Sequence, residues 1–420
     1  MGVQRGRIVG NRYWIAVVFF LLAAAPGCWF PVLSNVLHAK GWGPGIIEWA
    51  FVLPPLAGML SPLAFAAKAD RSYPAEKVLF VVLAGGAIFL FLAFWFLEHS
   101  ESPVLFLTFL GINALVSAPA WSLLTSVALS NLEDTARQFG SYRVWGTVGW
   151  VAAGWSVSWL GIDQSASTGM MASGVRIFAG FACLCLPHTP PRGGASAGWM
   201  SSLGFDSLKV LKDRDQAVYF LTAFLFSIPL AAFYMHTPRH LADLGVERVA
   251  AAMTWGQVSE VASLMLLGYV LMRWRLKFLL LFAIGCGVLR YGLYAWGGSI
   301  DSVLLILIGV GMHGFAWTFF FESGRVFVDR RVEPGMRAQT QALLTLVSGG
   351  LGAVIGTKLV GGLYRWLVVG HGAAGWTTYW WVLSGMCALT GLVFAIGYKG
   401  LAVAPKAPDV PVTPVPGVKP

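Results

Sequence analysis

Long apolar runs with almost no charge are the feature of this sequence that most restricts its fold. The first run, "YWIAVVFFLLAAAPGCWFPVLSNVL" at residues 13–37, is long enough to cross a bilayer, which takes about 20 residues. Hydrophobic residues fill 57% of the 420 positions and charged residues 11%, against about 25% charged residues in a soluble domain. No soluble core could hide so much apolar sequence, so we predict an all-α integral membrane protein.

Hydropathy divides the sequence into twelve such runs, each predicted to be one transmembrane helix. A polar segment rich in Gly, Ser and Pro, residues 188–215, separates the sixth run from the seventh. We interpret it as a cytoplasmic linker between an N-terminal six-helix half, residues 13–187, and a C-terminal six-helix half, residues 216–398. The runs lie at residues 13–37, 44–67, 78–97, 103–130, 138–161, 167–186, 216–237, 249–272, 278–297, 302–328, 338–364 and 376–398.

The distribution of Lys and Arg predicts the orientation, because cytoplasmic loops carry an excess of both. The side that holds segments 1–12 and 399–420 carries 20 of the 29 Lys and Arg residues. The opposite side carries Lys40, Arg239, Arg248 and Arg365. Segments 1–12 and 399–420 are therefore predicted to be cytoplasmic tails in a multi-pass plasma (inner) membrane protein, and the second tail is Pro-rich and predicted to be disordered. The net charge of +10 follows this topology, so it does not indicate a nucleic-acid partner.

Two six-helix halves joined by a cytoplasmic linker are typical of the major facilitator fold. In that fold an axis along the membrane normal relates the halves, and the solute binds between them near the midplane. Residues 66–71 and 268–273 weakly support this fold, because each is a degraded match to the G-x-x-x-D-R-type gate motif of the superfamily. A protein of this architecture is expected to be a monomer surrounded by lipid.

Polar side chains inside the apolar runs carry the functional signal, because a charged group at bilayer depth must face protein or a water-filled cavity. A helix turns about 100° per residue, so residues at i, i+4 and i+7 share a face. We predict three polar stripes that line one central cavity: Arg143, Thr147 and Trp150 on the fifth run, Gln257 and Glu260 on the eighth, and Thr318, Glu322 and Arg325 on the tenth.

Each stripe also has a purely structural interpretation. Glu322 and Arg325 could pair within their own helix. Arg143 could bond to carbonyl groups of a neighbouring helix. Gln257 with Glu260 could form a buried interhelical hydrogen bond.

Four other charged residues within the runs are not assigned to the cavity. Glu48 lies near the external end of its run and is expected to be solvated. Lys358 lies late in the eleventh run and is expected to reach the external surface. Arg176 and Arg290 lie in the middle of their runs, where we expect a role in packing.

The sequence contains no motif that indicates catalysis or metal binding. It has no H-E-x-x-H, its G-x-S-x-G match at residues 194–198 lies in the Gly- and Ser-rich linker, and Pro238 lies between His236 and His240. We therefore predict a secondary transporter with no metal and no cofactor, rather than a membrane-embedded enzyme. A channel is disfavoured, because channels usually form from symmetric subunits whereas this chain has two dissimilar halves.

Five segments resemble the nucleoside:proton symporter family of the major facilitator superfamily. They are "YRVWGTVGW", "LPHTP", "QVSE", "LRYGLYAWG" and "FFFESGRVFV", and the resemblance extends over residues 19–398. It implies that Arg143 and Thr147 line a nucleoside site together with Gln257 and Glu260. It also places Trp150 where the family has Phe.

The resemblance implies differences from the family as well. The Gln and Asn that the seventh helix of the family presents to the ligand correspond to Ala231 and Tyr234 here. The acidic residue linked to proton coupling on the tenth helix corresponds to Thr318, and Glu322 follows one turn later. Two ligand contacts of the family are thus absent, and the acidic residue is displaced by one turn.

The resulting hypothesis is proton-coupled uptake of a nucleoside or a similar polar solute by alternating access. The predicted solute contacts are Arg143, Thr147, Trp150, Tyr234, Gln257, Glu260 and Thr318, with Trp150 and Tyr234 stacking on a ring. Glu260 or Glu322 is predicted to take up the proton, with Arg325 as the partner of Glu322. Because Arg325 is added while Gln and Asn are absent, transport of another small polar or anionic metabolite stays open.

Overall fold

The computed structural model describes residues 2–61, 73–191 and 205–400, and within these ranges it is helical without strands. Parts of the second predicted run, the gate motif at residues 66–71, part of the linker and the tail beyond residue 400 lie outside the described residues. The helical segments are α1 (Gly2–Trp29, then Leu33–Ala39), α2 (Pro44–Ser61), α3 (Ala75–His99), α4 (Pro103–Ser117, then Ala120–Asn131), α5 (Thr135–Trp159), α6 (Ser167–Cys183), α7 (Arg214–Leu230, then Ala232–Asp243), α8 (Val249–Met253, then Trp255–Arg273), α9 (Leu276–Ser299), α10 (Val303–Trp317, then Ser323–Arg330), α11 (Arg337–Thr345, then Ala353–Leu367) and α12 (Gly372–Gly397).

Among the described residues, ten of these segments are long and apolar enough to span a membrane. Segments α5 and α6 are not among the ten. The multi-pass character is therefore confirmed, whereas the number of twelve spans stays a prediction. The described part of the linker includes a 3₁₀ helix at Phe205–Lys212.

The segments pack into two groups that follow the predicted halves. In the first half α1 packs against α5 and α6, and α3 packs against α4 and α6. In the second half α9 packs against α10 and α12, and α7 packs against α11 and α12. The two groups meet mainly through three pairs of segments, which are α1 with α7, α2 with α11, and α5 with α8.

Close contact between α1 and α5 depends on glycine. A Cβ atom added at Gly149 would overlap the backbone carbonyl of Phe20. Any larger residue at this position would push the two helices apart, and small residues are what membrane helices use for such close approach. The glycine thus allows the fifth segment to pack closely against the first.

Two wide turns interrupt helices of the second half. Thr318–Glu322 in α10 and Leu346–Gly352 in α11 are π-helical. A π turn closes its hydrogen bonds from i to i+5 instead of i to i+4. Side chains beyond such a turn are therefore rotated away from the positions that an ideal helix would give them.

Candidate functional site

A cavity of about 420 Å³ lies between the two halves. Segments α1, α3, α4, α5 and α6 form its wall on one side, and α7, α8 and α10 form the other. Its polar and aromatic lining consists of Ser117, Trp121, Arg143, Thr147, Trp150, Arg176, Tyr234, Gln257, Glu260, His313 and Trp317. The structure thus brings six of the predicted solute contacts together on one cavity, namely Arg143, Thr147, Trp150, Tyr234, Gln257 and Glu260.

The fifth segment presents Arg143, Thr147 and Trp150 to the cavity, as the helical phase predicts. The Arg143 guanidinium lies 5.5 Å from the ring centroid of Trp121. Such a cation–π contact stabilises the charge and leaves the N–H groups in the ring plane of the guanidinium free to donate. Within the described part of the chain no hydrogen bond ties Arg143 to a backbone carbonyl, so its donors are available to a solute.

The eighth segment contributes an acceptor and a carboxyl group. Gln257 donates from Nε2 to the Tyr234 hydroxyl at 2.7 Å, which fixes the orientation of the amide. Its Oε1 is buried and accepts no hydrogen bond from the described residues. Glu260 is partly exposed to the cavity, and the charged groups that act on it are Arg143 and Glu322. Gln257 and Glu260 therefore share a face, as predicted, but do not bond to each other.

Aromatic rings from both halves meet at the centre of the interface. The ring centroid of Tyr234 lies 5.9 Å from that of Trp150 and 5.2 Å from that of Phe30. A second lobe of about 340 Å³ continues beyond Tyr234 and shares Tyr234, His313 and Trp317 with the first. The two lobes thus form one polar and aromatic chamber, partly divided by the Tyr234 ring.

The tenth segment departs from the predicted cavity lining. Thr318 is fully buried, lies outside the lining of either lobe, and its hydroxyl has no hydrogen-bond partner among the described residues. Glu322 also lies outside both linings, and its carboxylate is 3.9 Å from Arg325, which lines the second lobe. The prediction that Thr318, Glu322 and Arg325 all line the cavity is therefore wrong, since of the three Arg325 lines a lobe, whereas Glu322 pairs with Arg325 on the same helix and Thr318 is buried in the π turn.

Several residues of the chamber were not predicted from the sequence. Trp121, Ser117, His313 and Trp317 were missed, and Arg176 was expected to serve packing. Arg176 does pack, since it donates to Asn113 and, at 2.8 Å, to Ser117, but it also lines the cavity. The sequence signal for it was a cation in the middle of an apolar run, where a nearby cavity or polar partner is required.

The end of the bundle that the charge distribution predicts to be external contains an ionic contact between the halves. Glu48 of α2 is 4% exposed and pairs with Arg365 and, at 2.8 Å, with Lys358, both from α11. The expectation that Glu48 is solvated is wrong, because two cations of the opposite half enclose its carboxylate. Lys358 does not simply extend to the surface either, since its ammonium lies 3.5 Å from the Trp49 ring centroid.

Two hydrogen-bonded contacts reinforce this closure. Asn35 of α1 donates to the carbonyl of Pro238 in α7 at 3.0 Å. Asp163, after α5, accepts from the backbone N–H of Ala250 in α8 at 2.7 Å. We call these contacts, together with the Glu48 ion pairs, the seam. The seam joins the three main pairs of segments through which the halves meet, on one side of the cavity.

A bundle of two helical halves, closed by a seam at one end and holding a polar chamber between them, defines a membrane transporter. The sequence matches the nucleoside H⁺ symporter family over residues 11–402, and the chain belongs to this family. It is accordingly a multi-pass membrane transporter of a family that uses the proton gradient, and not an enzyme. The predicted family membership is confirmed.

Curated relatives and solved structures agree with this assignment. The chain is 29% identical to YegT of Escherichia coli (strain K12) over 88% of each chain. It is 27% identical to the xanthosine permease of the same bacterium, over 92% of this chain and 95% of the relative. The nucleoside permease NupG of this bacterium is 25% identical to the chain, over 92% of this chain and 95% of the relative.

The fold itself is that of a solved transporter. The crystal structure of the nucleoside transporter NupG has a TM-score of 0.83 at 23% identity, covering 93% of this chain and 99% of that chain. The POT family transporter PepTSo has a TM-score of 0.68 at 13% identity, covering 92% of this chain and 97% of that chain. The predicted major facilitator fold is therefore confirmed.

Proposed function

We propose that this protein takes up a nucleoside together with a proton by alternating access. The observation that carries the proposal is the convergence of Arg143 and Thr147 from one half with Gln257 and Glu260 from the other on a single cavity. These are the four residues that the family resemblance assigns to the nucleoside site. The names of the xanthosine permease and of the nucleoside permease NupG agree with this solute class.

Solute recognition follows from the groups that lack partners. Arg143 donates to acceptor oxygens of the solute, and the free Oε1 of Gln257 accepts from a ribose hydroxyl or a base N–H. Trp150 and Tyr234 enclose the base, and stacking of a base on an aromatic side chain is worth about 1–3 kcal/mol. Thr147, one turn from Arg143, adds a hydroxyl on the same wall.

Proton coupling is assigned to Glu260 in preference to Glu322. The Glu260 carboxyl lines the cavity without an ion-pair partner within 4 Å among the described residues, whereas Glu322 faces Arg325 at 3.9 Å. Protonation removes a negative charge from the cavity wall, and only a change that acts differently on the two conformations can shift their populations. In this proposal, a proton on Glu260 favours the conformational change that moves the loaded cavity from one side of the membrane to the other.

The described conformation is interpreted as one in which the external entrance is closed. With Lys and Arg concentrated on the side of segments 1–12 and 399–420, those segments are cytoplasmic and the seam faces outward. The protein then works as a monomer in the inner membrane, with no cofactor other than the proton gradient and no nucleic-acid partner. Opening of the seam admits the solute from outside.

An anionic metabolite is the second candidate solute. Arg143 and Arg176 both line the first lobe, against the single carboxyl of Glu260. Once Glu260 is protonated, two cations face the bound solute with no negative charge on the lining. This balance would suit a small anion better than a neutral nucleoside.

Uptake by cells that express the chain separates these candidates. Labelled uridine and adenosine are offered at two external pH values, with and without a protonophore. We expect saturable uptake that rises at the lower pH and collapses with the protonophore. Trp159→Phe is a matched control, because Trp159 is on the same helix as Arg143 but is 82% exposed. No saturable uptake by folded protein would refute the nucleoside proposal, and a thermal-shift panel of nucleotides, sugars and organic acids would then test the anionic alternative.

A further inference from the structure

A second buried arginine lies behind the cavity in the C-terminal half. Arg290 of α9 is 0% exposed, and no carboxylate among the described residues pairs with it. Its Nη2 donates to the Tyr291 hydroxyl at 2.8 Å, and that hydroxyl donates onward to the carbonyl of Pro229. Its guanidinium carbon also lies 4.5 Å from the Tyr291 ring centroid and 5.2 Å from that of Phe233. Because a cation at bilayer depth is costly, the further hydrogen bond that Arg290 makes to a neighbouring helix indicates a role for this residue.

That remaining contact fixes the tautomer of a histidine. Arg290 Nη1 lies 3.0 Å from Nδ1 of His313 in α10. A guanidinium has only donors, so Nδ1 must accept, and the neutral imidazole then carries its proton on Nε2. A doubly protonated ring would set one donor against another at this distance. The contact therefore holds His313 as a neutral ring whose only donor is Nε2–H.

The orientation of the His313 ring is fixed as well. It stacks on Phe233 with a centroid distance of 4.0 Å and an interplanar angle of 2°. The ring lines both lobes of the chamber, next to Tyr234 and Trp317. No described residue accepts a hydrogen bond from Nε2 of His313. An oriented donor without a protein acceptor, in the wall of a solute chamber, is suited to an acceptor on the solute.

We propose that His313 donates from Nε2 to a carbonyl oxygen on the base of the transported nucleoside, and that Arg290 is its positioning residue. The proposal rests on nucleoside transport as the function. The base is chosen over the ribose because His313 lies beside Tyr234 and Trp317, whose rings line the chamber at the position where a base would stack. The favoured substrates are accordingly nucleosides whose base bears a carbonyl oxygen, such as inosine and uridine, over those that present an amino group there.

The test compares three purine nucleosides that differ at one substituent. Inosine carries a 6-carbonyl group, adenosine a 6-amino group, and purine riboside neither. Competition against labelled uridine is measured on the full-length protein in proteoliposomes. In the wild-type chain we expect inosine to bind about tenfold more tightly than purine riboside, the value of a hydrogen bond to an otherwise unpaired donor. Adenosine should be the weakest of the three, because its amino group would face the Nε2 donor.

Variants of His313 separate a contact from a packing role. His313→Phe keeps a flat ring for the stack on Phe233 but removes the donor, so the preference for inosine over purine riboside should disappear. His313→Gln places an amide N–H near the position of Nε2 and should restore part of the preference. His313→Asn provides an acceptor near the position of Nδ1 and should not restore it. If both ligands weaken equally in all three variants, His313 has only a packing role and the proposal is wrong.

The positioning role of Arg290 is tested by the same ratio of the affinities for inosine and purine riboside. Arg290→Met frees Nδ1 and should lower the inosine preference even in folded protein, whereas Arg290→Lys keeps a donor and should retain most of it. An unchanged ratio in Arg290→Met would overturn the positioning role. If the wild-type chain binds none of the nucleosides, nucleoside transport itself fails. If it binds them without any preference that depends on His313, only the present inference fails.

Discussion

The seam and the chamber belong to the same interface between the halves, but their polar groups are in opposite states. In the seam the Glu48 carboxylate is enclosed by Lys358 and Arg365, so the protein satisfies its own charges. In the chamber Gln257 Oε1 is unpaired and Glu260 has no ion-pair partner within 4 Å among the described residues. The first region is complete without a ligand and the second is not. Changes in the seam should therefore alter which conformation is populated, and changes in the chamber should alter what is bound.

The largest effect is expected from removal of the proton site. Glu260→Gln keeps the shape of the side chain but cannot gain or lose a proton, so accumulation against a gradient should be abolished while counterflow exchange persists. Both are measured in proteoliposomes with an imposed proton gradient. Glu322→Gln is the matched control and should keep accumulation, because Glu322 lies outside the cavity lining. If Glu322→Gln abolished accumulation and Glu260→Gln did not, proton coupling would be assigned to Glu322 of α10.

The next effect in size concerns the α5 stripe. Arg143→Ala should weaken nucleoside binding by about 10–100-fold, since hydrogen bonds to a charged group contribute about 1.5–3 kcal/mol. Arg143→Lys keeps the charge but not the planar fork, so its affinity should be intermediate. Affinity is measured by binding to purified protein, with Trp159→Phe as the control. Wild-type affinity in Arg143→Ala would exclude the α5 stripe from the site.

A smaller effect is expected at the seam. Glu48→Gln should favour the seam-open state by about 1–2 kcal/mol, less than for a fully buried pair, because Lys358 and Arg365 are 37% and 45% exposed. Ser34, 2% exposed at the seam end of α1, supplies the probe. In a Cys185→Ser background, which removes the exposed native cysteine, Ser34→Cys should react about 5–30-fold faster with an impermeant maleimide when Glu48 is replaced.

The control for the seam is an ion pair of the same end that stays within one half. Lys40 pairs with Glu101 at 3.2 Å, and the Glu101 side chain is 90% exposed. Glu101→Gln should leave the labelling rate of Ser34→Cys unchanged. Equal rates for the Glu48 and Glu101 variants would mean that the seam does not control access.

The smallest effect is expected at Thr318. Its hydroxyl is buried and unpaired among the described residues, away from both linings, so Thr318→Val should change nucleoside affinity by less than about twofold. The variant has nearly the same shape and is measured with the same binding assay. A tenfold loss of affinity would place the hydroxyl in the site, as predicted from the sequence.

The sequence predicts the fold and two of the three stripes for a common reason. Apolar length indicates a membrane helix, and a regular helix keeps its phase, so the positions of Arg143 and Thr147 on α5 and of Gln257 and Glu260 on α8 could be calculated from spacing alone. Both stripes lie on uninterrupted stretches of α-helix. That the predicted site residues of each stripe share a face follows from local geometry, without knowledge of the tertiary structure.

What the sequence does not predict depends on contacts between distant residues or on irregular backbone. Glu48 and Arg365 are 317 residues apart, and nothing in either local sequence indicates the other. The donor role inferred for His313 depends on a hydrogen bond from another helix. Thr318 and Glu322 lie in a π turn and outside the cavity lining, and the assumption of a regular helix did not predict either feature. Each case involves information that only the packed structure contains.

The π turn of α10 also affects how relatives of this chain should be compared. A π turn accommodates one residue more than an α-helical turn, and a shift of one residue corresponds to about 100° of rotation. A single inserted or deleted residue at Thr318–Glu322 would therefore exchange the residues that face the chamber while both ends of α10 keep their packing. In evolutionary terms, the tenth helix can change its solute-facing residues by an insertion or deletion instead of a substitution. An alignment of relatives that places no gap in this turn would then match residues that occupy different faces of the helix.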